Sequence, residues 1–177
     1  ATKKMEGFIA SVRKQISRQE NKDVFSLNTE IQQIVEILSF KAAQAKVAIH
    51  FGPATEITTY GDNIQFSQVA LNLIGNAIDS YYEYEGSKTR EVLVSLTKHE
   101  DMILFIVKDY GAGISDENKE KIFEPFFTTK DAKRGTGIGL SLVKGIIEKD
   151  FGGTITVESG LGSGSEFIVR IPTRVVQ

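Results

Sequence analysis

The residues with the types and spacing to do chemistry lie in three short stretches. Asp109-Tyr110-Gly111-Ala112-Gly113-Ile114 follows the apolar run Met102 to Val107. A carboxylate at the end of a strand that is apolar on both faces is partly buried and needs donors. An adenine amino group is one candidate donor and a local turn N–H is the other. Gly111 and Gly113 permit positive φ and the close approach of a flat ring. Further on, Gly135-Thr136-Gly137-Ile138-Gly139-Leu140 opens a helical pattern. Its unpaired N–H groups and the helix dipole make a cradle for phosphate. Lys130 and Arg134 flank that cradle, either to neutralise phosphate charge or simply as solvated charges.

The third stretch is helical. At about 100° per residue, Gln65, Gln68, Asn72, Asn76 and Asp79 fall in a stripe roughly 80° wide. An exposed face would account for it, but such faces carry Lys, Glu and Arg, whereas this one is amide-rich. Side-chain carbonyl oxygens on one face are equally suited to a hard cation such as Mg²⁺. The commoner glycine motifs do not fit. The dinucleotide fingerprint needs a glycine where Leu140 stands and a strand where Asp131-Ala-Lys-Arg134 stands. No Gly-x-x-x-x-Gly-Lys-Ser/Thr occurs, and the eukaryotic-type protein-kinase signature set is absent. His99-Glu100 falls at a hairpin tip and His50 in a strand, so both histidines read as structural.

These stretches have to be held by something. Residues 4–20 read as a helix with Met5, Phe8, Ile9, Val12 and Ile16 on one face, the closing turns of a preceding unit. A short strand over Val24–Leu27 precedes a helix capped by Asn28, with the stripe Ile31, Ile34, Val35, Leu38, Ala42 and Ala45. Strands follow at Val47–Phe51 and Ile57–Tyr60. Asp62 caps the amide-bearing helix, and Gln65 completes a capping box. Tyr81 to Lys88 is a polar, aromatic-bearing connection. Val92–Lys98 and Met102–Lys108 form a hairpin, Ser115 caps a short helix through Phe123, and Ile138–Asp150 is a helix stopped by Gly152-Gly153. Thr154–Ser159 and Ser165–Pro172 form a last hairpin. This order predicts an α/β two-layer sandwich, a mixed and mostly antiparallel sheet with helices on one face. The expected division is 1–20, then a domain over 24–172, then a tail over 173–177.

The bulk numbers agree. With 177 residues, 41% hydrophobic and 25% charged, the chain can bury one ordinary core. A net charge of −2 gives no footprint for nucleic acid. Without cysteine there are no disulfides or thiol chemistry, which suits a reducing compartment and a cytoplasmic location. The longest purely apolar run, Met102 to Val107, is far short of a membrane span, so no membrane contact is expected of this segment. A start without Met reads as a piece of something longer.

Taken in order, Asn72-x-x-x-Asn76-Ala77, Asp109-x-Gly-x-Gly, Phe123-Glu-Pro-Phe-Phe-Thr-Thr-Lys130, Gly135-Thr-Gly-Ile-Gly-Leu140 and Gly162-Ser-Gly-Ser-Glu-Phe167 resemble the ATP-binding domain of sensor histidine kinases. That family shares a superfamily (GHKL, with the Bergerat-type ATP-binding fold) with type II topoisomerases, a heat-shock chaperone and mismatch-repair ATPases. Residues 76–80 and the Phe-Phe-Thr-Thr-Lys run look most like its nitrogen-regulator branch. The resemblance implies ATP and Mg²⁺ as cofactors, with Asn76 as metal ligand and Asn72 close to the phosphates. It implies that Asp109 accepts from adenine, that Gly111, Gly113 and Ile114 wall the ring, and that residues 123–127 anchor a lid. Phe127, Thr128, Thr129, Lys130 and Arg134 would meet the nucleotide. Gly135, Thr136, Gly137, Ile138 and Gly139 would present the phosphate loop, and Leu140 would hold the helix end. Asn72, Asn76 and Lys130 would carry the catalytic roles.

The departures from the family pattern are specific. Tyr110 takes the place of a small or polar residue and brings its ring near the base. Ser165 stands where the family usually has Thr. Asp79, counted among the nucleotide-site residues, replaces a basic residue of many relatives and removes a positive phosphate contact there. The resemblance further implies a histidine-bearing dimerisation domain in the same protein, a response regulator, and a homodimer of the parent. The segment itself is free to be monomeric and the parent free to be membrane-anchored. Two other readings stand beside it. A water-activating hydrolase would have Glu where Asn72 stands, and a non-catalytic docking module would keep the fold without turnover.

Overall fold

The computed structural model describes residues 22–52, 55–86, 89–129 and 137–173. The expected helix over 4–20, the segment 130–136 and the end of the tail lie outside them. The elements are β1 (Asp23–Ser26), α1 (Leu27–Ala45), β2 (Ala48–Phe51), β3 (Thr58–Gly61), α2 (Asn63–Asp79), β4 (Glu91–His99), β5 (Met102–Asp109), α3 (Asp116–Lys119), a 3₁₀ turn (Lys121–Phe123), α4 (Gly139–Lys149), β6 (Thr154–Gly160) and β7 (Gly164–Pro172).

Five strands form one sheet in the order β2-β4-β5-β7-β6, with β2 parallel to β4 and the other pairs antiparallel. This is the expected mixed, mostly antiparallel sheet. β1 and β3 pair separately as a two-stranded sheet. The strands flanking Gly52 therefore belong to different sheets. Phe25 of β1 ties the small sheet to the main core, lying 6.1 Å from Phe66 and 6.5 Å from Phe151 between ring centroids.

Period-2 alternation sets the inner face of the main sheet. Val92, Val94 and Leu96 of β4, Ile103, Phe105 and Val107 of β5, and Phe167, Val169 and Ile171 of β7 are all buried. Asp109 is in phase with this β5 set, so the same alternation that builds the core turns its carboxylate inward. On the helix side, Ile31, Ile34, Leu38 and Ala42 of α1 and Phe66, Val69, Leu73 and Ile74 of α2 are buried against the sheet.

Three local expectations change. The cap of α1 is Ser26, whose hydroxyl accepts from Thr29 N–H at 3.2 Å. Asn28 instead braces the following loop, accepting from Ile57 N–H at 2.7 Å and donating to Thr55 O at 3.1 Å. The chain turns into the helix two residues early, because the strand pairing of β1 ends at Ser26. Asp62 does cap α2, accepting from the Ile64 and Gln65 N–H groups. Gln65 does not close the box: it is buried and its Oε1 has no partner. Ser115 makes no side-chain cap bond, and the helix after it breaks at Glu120 into a 3₁₀ turn.

Gly145 sits inside α4 with nothing within 4 Å of where a Cβ would be. Gly145→Ala is expected to stabilise the protein by about 1 kcal/mol, since helical glycine costs about that much relative to alanine. A thermal midpoint that rises by a few degrees checks it; one that falls would show that the position is packed.

Candidate nucleotide-binding site

The inward turn of Asp109 leaves it 2% exposed at the end of β5. Its Oδ1 accepts from Gly111 N–H at 2.9 Å and lies 2.9 Å from Ser80 Oγ. Ser80 Oγ also lies 2.7 Å from Ala77 O, so two acceptors share its one proton. Burial pushes the Asp109 carboxyl above the usual range, against the opposing pull of the Gly111 N–H, the Ser80 hydroxyl and the Ser165 N–H. A carboxylate offers about four acceptor positions. The Gly111 N–H and a shared Ser80 proton fill only part of that capacity in a buried setting, which leaves room for a further donor such as an exocyclic amino group. The local-turn donor weighed from the sequence is therefore present, and it does not exhaust the acid.

Ser165 faces Asp109 across the β5–β7 ladder and is itself buried. Its Oγ is 2.9 Å from Ser159 Oγ, which accepts from Ile114 N–H at 2.8 Å and bonds Gly164 O at 2.7 Å. Gly113, at φ +72°, passes so close to the β6–β7 turn that a Cβ would stand 1.9 Å from Gly160 O. Asp109, Gly111, Gly113, Ile114 and Ser165 are thus brought to one end of the sheet. Tyr110 is 37% exposed, with Lys108 Nζ 5.7 Å from its ring centroid.

Sequence reasoning missed Tyr81. Fully buried, it accepts through its hydroxyl from Tyr110 N–H at 2.8 Å and Glu91 N–H at 3.1 Å, and donates to Glu91 O. It ties the end of α2 to the strand ends that carry Asp109. The signal was available: seven residues after Ile74, it stays on the buried face of α2 if the helical period is run one turn further.

The other end of the site is where α2 meets α4. The first turn of α4 has no side-chain cap, with Ile138 at the N-cap position. Asn72 Nδ2 donates to Gln68 O at 2.7 Å, and a Cβ at Gly139 would stand 2.6 Å from Asn72 Oδ1. The amide stripe and the helix N-terminus are therefore in direct apposition, with Asn76 one turn further along α2. Leu140 packs on the core and Ile138 is exposed. Gly137 adopts φ +67° and its carbonyl accepts from Phe126 N–H at 2.8 Å. Phe127 packs on the core, while Thr128 and Thr129 are exposed. Lys130, Arg134, Gly135 and Thr136 lie outside the described residues.

Among the described residues no cluster of three His, Cys, Asp or Glu side chains is arranged to hold a metal. Asn72 and Asn76 offer neutral amide oxygens on this stretch of α2. They suit Mg²⁺ held mainly by phosphate and water, with one or two protein oxygens, and not an all-protein cage. Asp79 Oδ1 lies 2.6 Å from Nζ of Lys41, which crosses over from α1. The sequence reading did not single out Lys41. A shallow groove of about 290 Å³ lined by Asn28, Thr29, Gln32, Gln33 and Phe51 carries no titratable group and lies on other elements.

Residues 61–175 match the family model described as histidine kinase-, DNA gyrase B-, and HSP90-like ATPase. A sensor histidine kinase, RppB, from Synechocystis sp. is 33% identical over 80% of this chain and 32% of its own length. The nucleotide-free catalytic domain of histidine kinase ThkA superposes with a TM-score of 0.73 at 31% identity, over 86% of this chain and 95% of that domain. ThkA in complex with the response regulator protein TrrA superposes at 0.70 with 25% identity, over 98% of this chain and 49% of that one. The chain spans 12% to 32% of the length of three curated relatives that it matches.

Proposed function

The chain belongs to the histidine kinase-, DNA gyrase B- and HSP90-like ATPase family, as an ATP-binding catalytic domain of the sensor histidine kinase kind, and from that premise we propose how its residues work. Asp109 holds the adenine amino group, with Gly111, Gly113 and Ile114 along the ring. Asn72, Asn76 and the first turn of α4 hold the phosphates, with Mg²⁺ on Asn76. Lys130 and Arg134 neutralise phosphate charge. The γ-phosphoryl group then goes to a histidine on a dimerisation hairpin outside this chain, and from there to a response regulator. The parent protein is a homodimer acting in the cytoplasm.

The observation that carries this reading is the apposition of Asn72 with the uncapped start of α4. Phosphoryl transfer needs chiefly positioning and charge neutralisation, so a site of amides, backbone N–H groups and a bound metal can serve without a nucleophile of its own. Asn76 would hold the metal, which when bound would neutralise phosphate charge. The hydrolase alternative needs a base to activate water. Asn72 is an amide whose nitrogen is already committed to Gln68 O, and it cannot serve.

The test mixes this chain with the histidine-bearing hairpin of its parent and γ-labelled ATP. Acid-labile label on the hairpin is expected. Rapid phosphate release with no label would replace the kinase reading by the hydrolase. Mg-ADP alone is expected to raise the melting midpoint by mass action, and no shift at millimolar nucleotide would remove the site assignments altogether.

A further inference from the structure

Asp79 poses an electrostatic problem for a phosphate site. It lies three residues beyond Asn76 on the same face of α2, about 4.5 Å further along the axis. An unopposed carboxylate there would repel a nucleotide's phosphates. The fold answers with a cation from another helix. Lys41 of α1 reaches across to set Nζ 2.6 Å from Asp79 Oδ1 and 3.4 Å from Gly75 O. A Cβ at Gly75 would stand 3.9 Å from Nζ, an ordinary contact, so what this position gives the lysine is its carbonyl. An ammonium has three donors. Two are spent on α2 and the third is left for the solvent side, where the Lys41 side chain is 44% exposed.

We propose that Lys41 is the phosphate-side cation of this site, supplied by α1 and fixed on α2 by Asp79 and Gly75. The proposal rests on the nucleotide reading given above and adds to it a charge that α2 does not carry itself. The pair cancels the repulsion of Asp79 at short range, and the remaining N–H points a positive charge at whatever anion lies along the stripe. A lysine already held by two acceptors gives up less side-chain freedom when it meets that anion than a free one would. The charge at position 79 and the charge at position 41 are thus one unit, and its function is to grade affinity by the number of phosphates.

The experiment measures dissociation constants for adenosine, ADP and ATP, each with Mg²⁺, on the whole chain and on Lys41→Met, Lys41→Gln and Lys41→Arg, together with each nucleotide-free melting midpoint. Lys41→Met and Lys41→Gln are expected to weaken ATP roughly tenfold, the size of one lost charge-assisted hydrogen bond. ADP should weaken less and adenosine not at all. Lys41→Arg should recover most of the loss, and added salt should narrow the gap between parent and variant. Equal weakening of adenosine and ATP would reduce Lys41 to helix packing and overturn the proposal, as would unchanged ATP affinity. If Lys41→Met melts early, Lys41→Gln at a temperature where it is folded decides by the same ratio. A parent chain that binds none of the three ligands would overturn the nucleotide reading itself, an outcome distinct from a parent that binds and a variant that binds equally well.

Discussion

Asp109→Asn should abolish most of the nucleotide-induced rise in melting midpoint, with affinity for ADP and ATP falling about 100-fold, the size of a lost buried hydrogen bond to a charged acceptor plus an opposed donor. The amide oxygen can still accept from Gly111 N–H and Ser80, so the turn survives. The amide nitrogen replaces the oxygen available to adenine and turns a donor toward the ligand's donor. It also brings a donor toward the Ser165 N–H, so the nucleotide-free midpoint should fall by a few degrees at acid pH. The pH dependence has a definite sign. Burial raises the folded-state pKa of Asp109 above its ordinary value. Its contribution to stability is therefore fully present below the ordinary aspartate pKa, about 3.9, and is lost as pH rises through the folded value. Relative to the variant, the parent should be most stable in acid and lose ground above about pH 4. Nucleotide affinity of the parent should run the other way and strengthen as the carboxylate ionises, while that of the variant stays flat. Full affinity in Asp109→Asn would take adenine away from this residue.

What the sequence made legible follows the reach of each signal. The apolar run Met102–Val107 was enough to place Asp109 at a strand end and partly buried, because local pattern records the element a residue belongs to; the face it takes, in phase with Ile103, Phe105 and Val107, is set by the fold. The stripe on residues 65–79 was legible for the same reason, at helical period. What pairing does at longer range was not. Nothing in Val24–Ser26 and Thr58–Gly61 says that they pair with each other and not with the main sheet; that is decided by Phe25 finding Phe66 and Phe151. Asn28 and Ser26 are both good caps, and the choice depended on where β1 stops pairing. Tyr81 and Lys41 were hidden differently. Each acts through a partner more than nine residues away in sequence, Glu91 and Tyr110 for one, Asp79 and Gly75 for the other, and local pattern carries no record of such partners.

The glycine at 113 shows how tightly the two turns at the base end depend on each other. Gly113→Ala should cost about 3 kcal/mol or more, combining a left-handed backbone for an L-residue with overpacking. The new Cβ would meet Gly160 O at 1.9 Å and Gly160 C at 2.8 Å, backbone atoms that no rotamer change can move aside. Relief requires the β6–β7 turn to shift. That turn donates Gly162 N–H to Ala112 O at 2.8 Å and leads directly into Ser165, whose N–H faces Asp109. Displacement there pulls a donor away from the buried acid, so affinity for nucleotide should fall along with stability. Thermal melting and nucleotide titration at a temperature where the variant is folded separate the two effects. A parental midpoint would show that the turns at 109–113 and 160–164 do not press on each other. A lowered midpoint with parental affinity would show that the second turn can move without disturbing Asp109. A loss of both, against the gain expected of Gly145→Ala, would mark the difference between a glycine that shapes this site and one that merely weakens a helix.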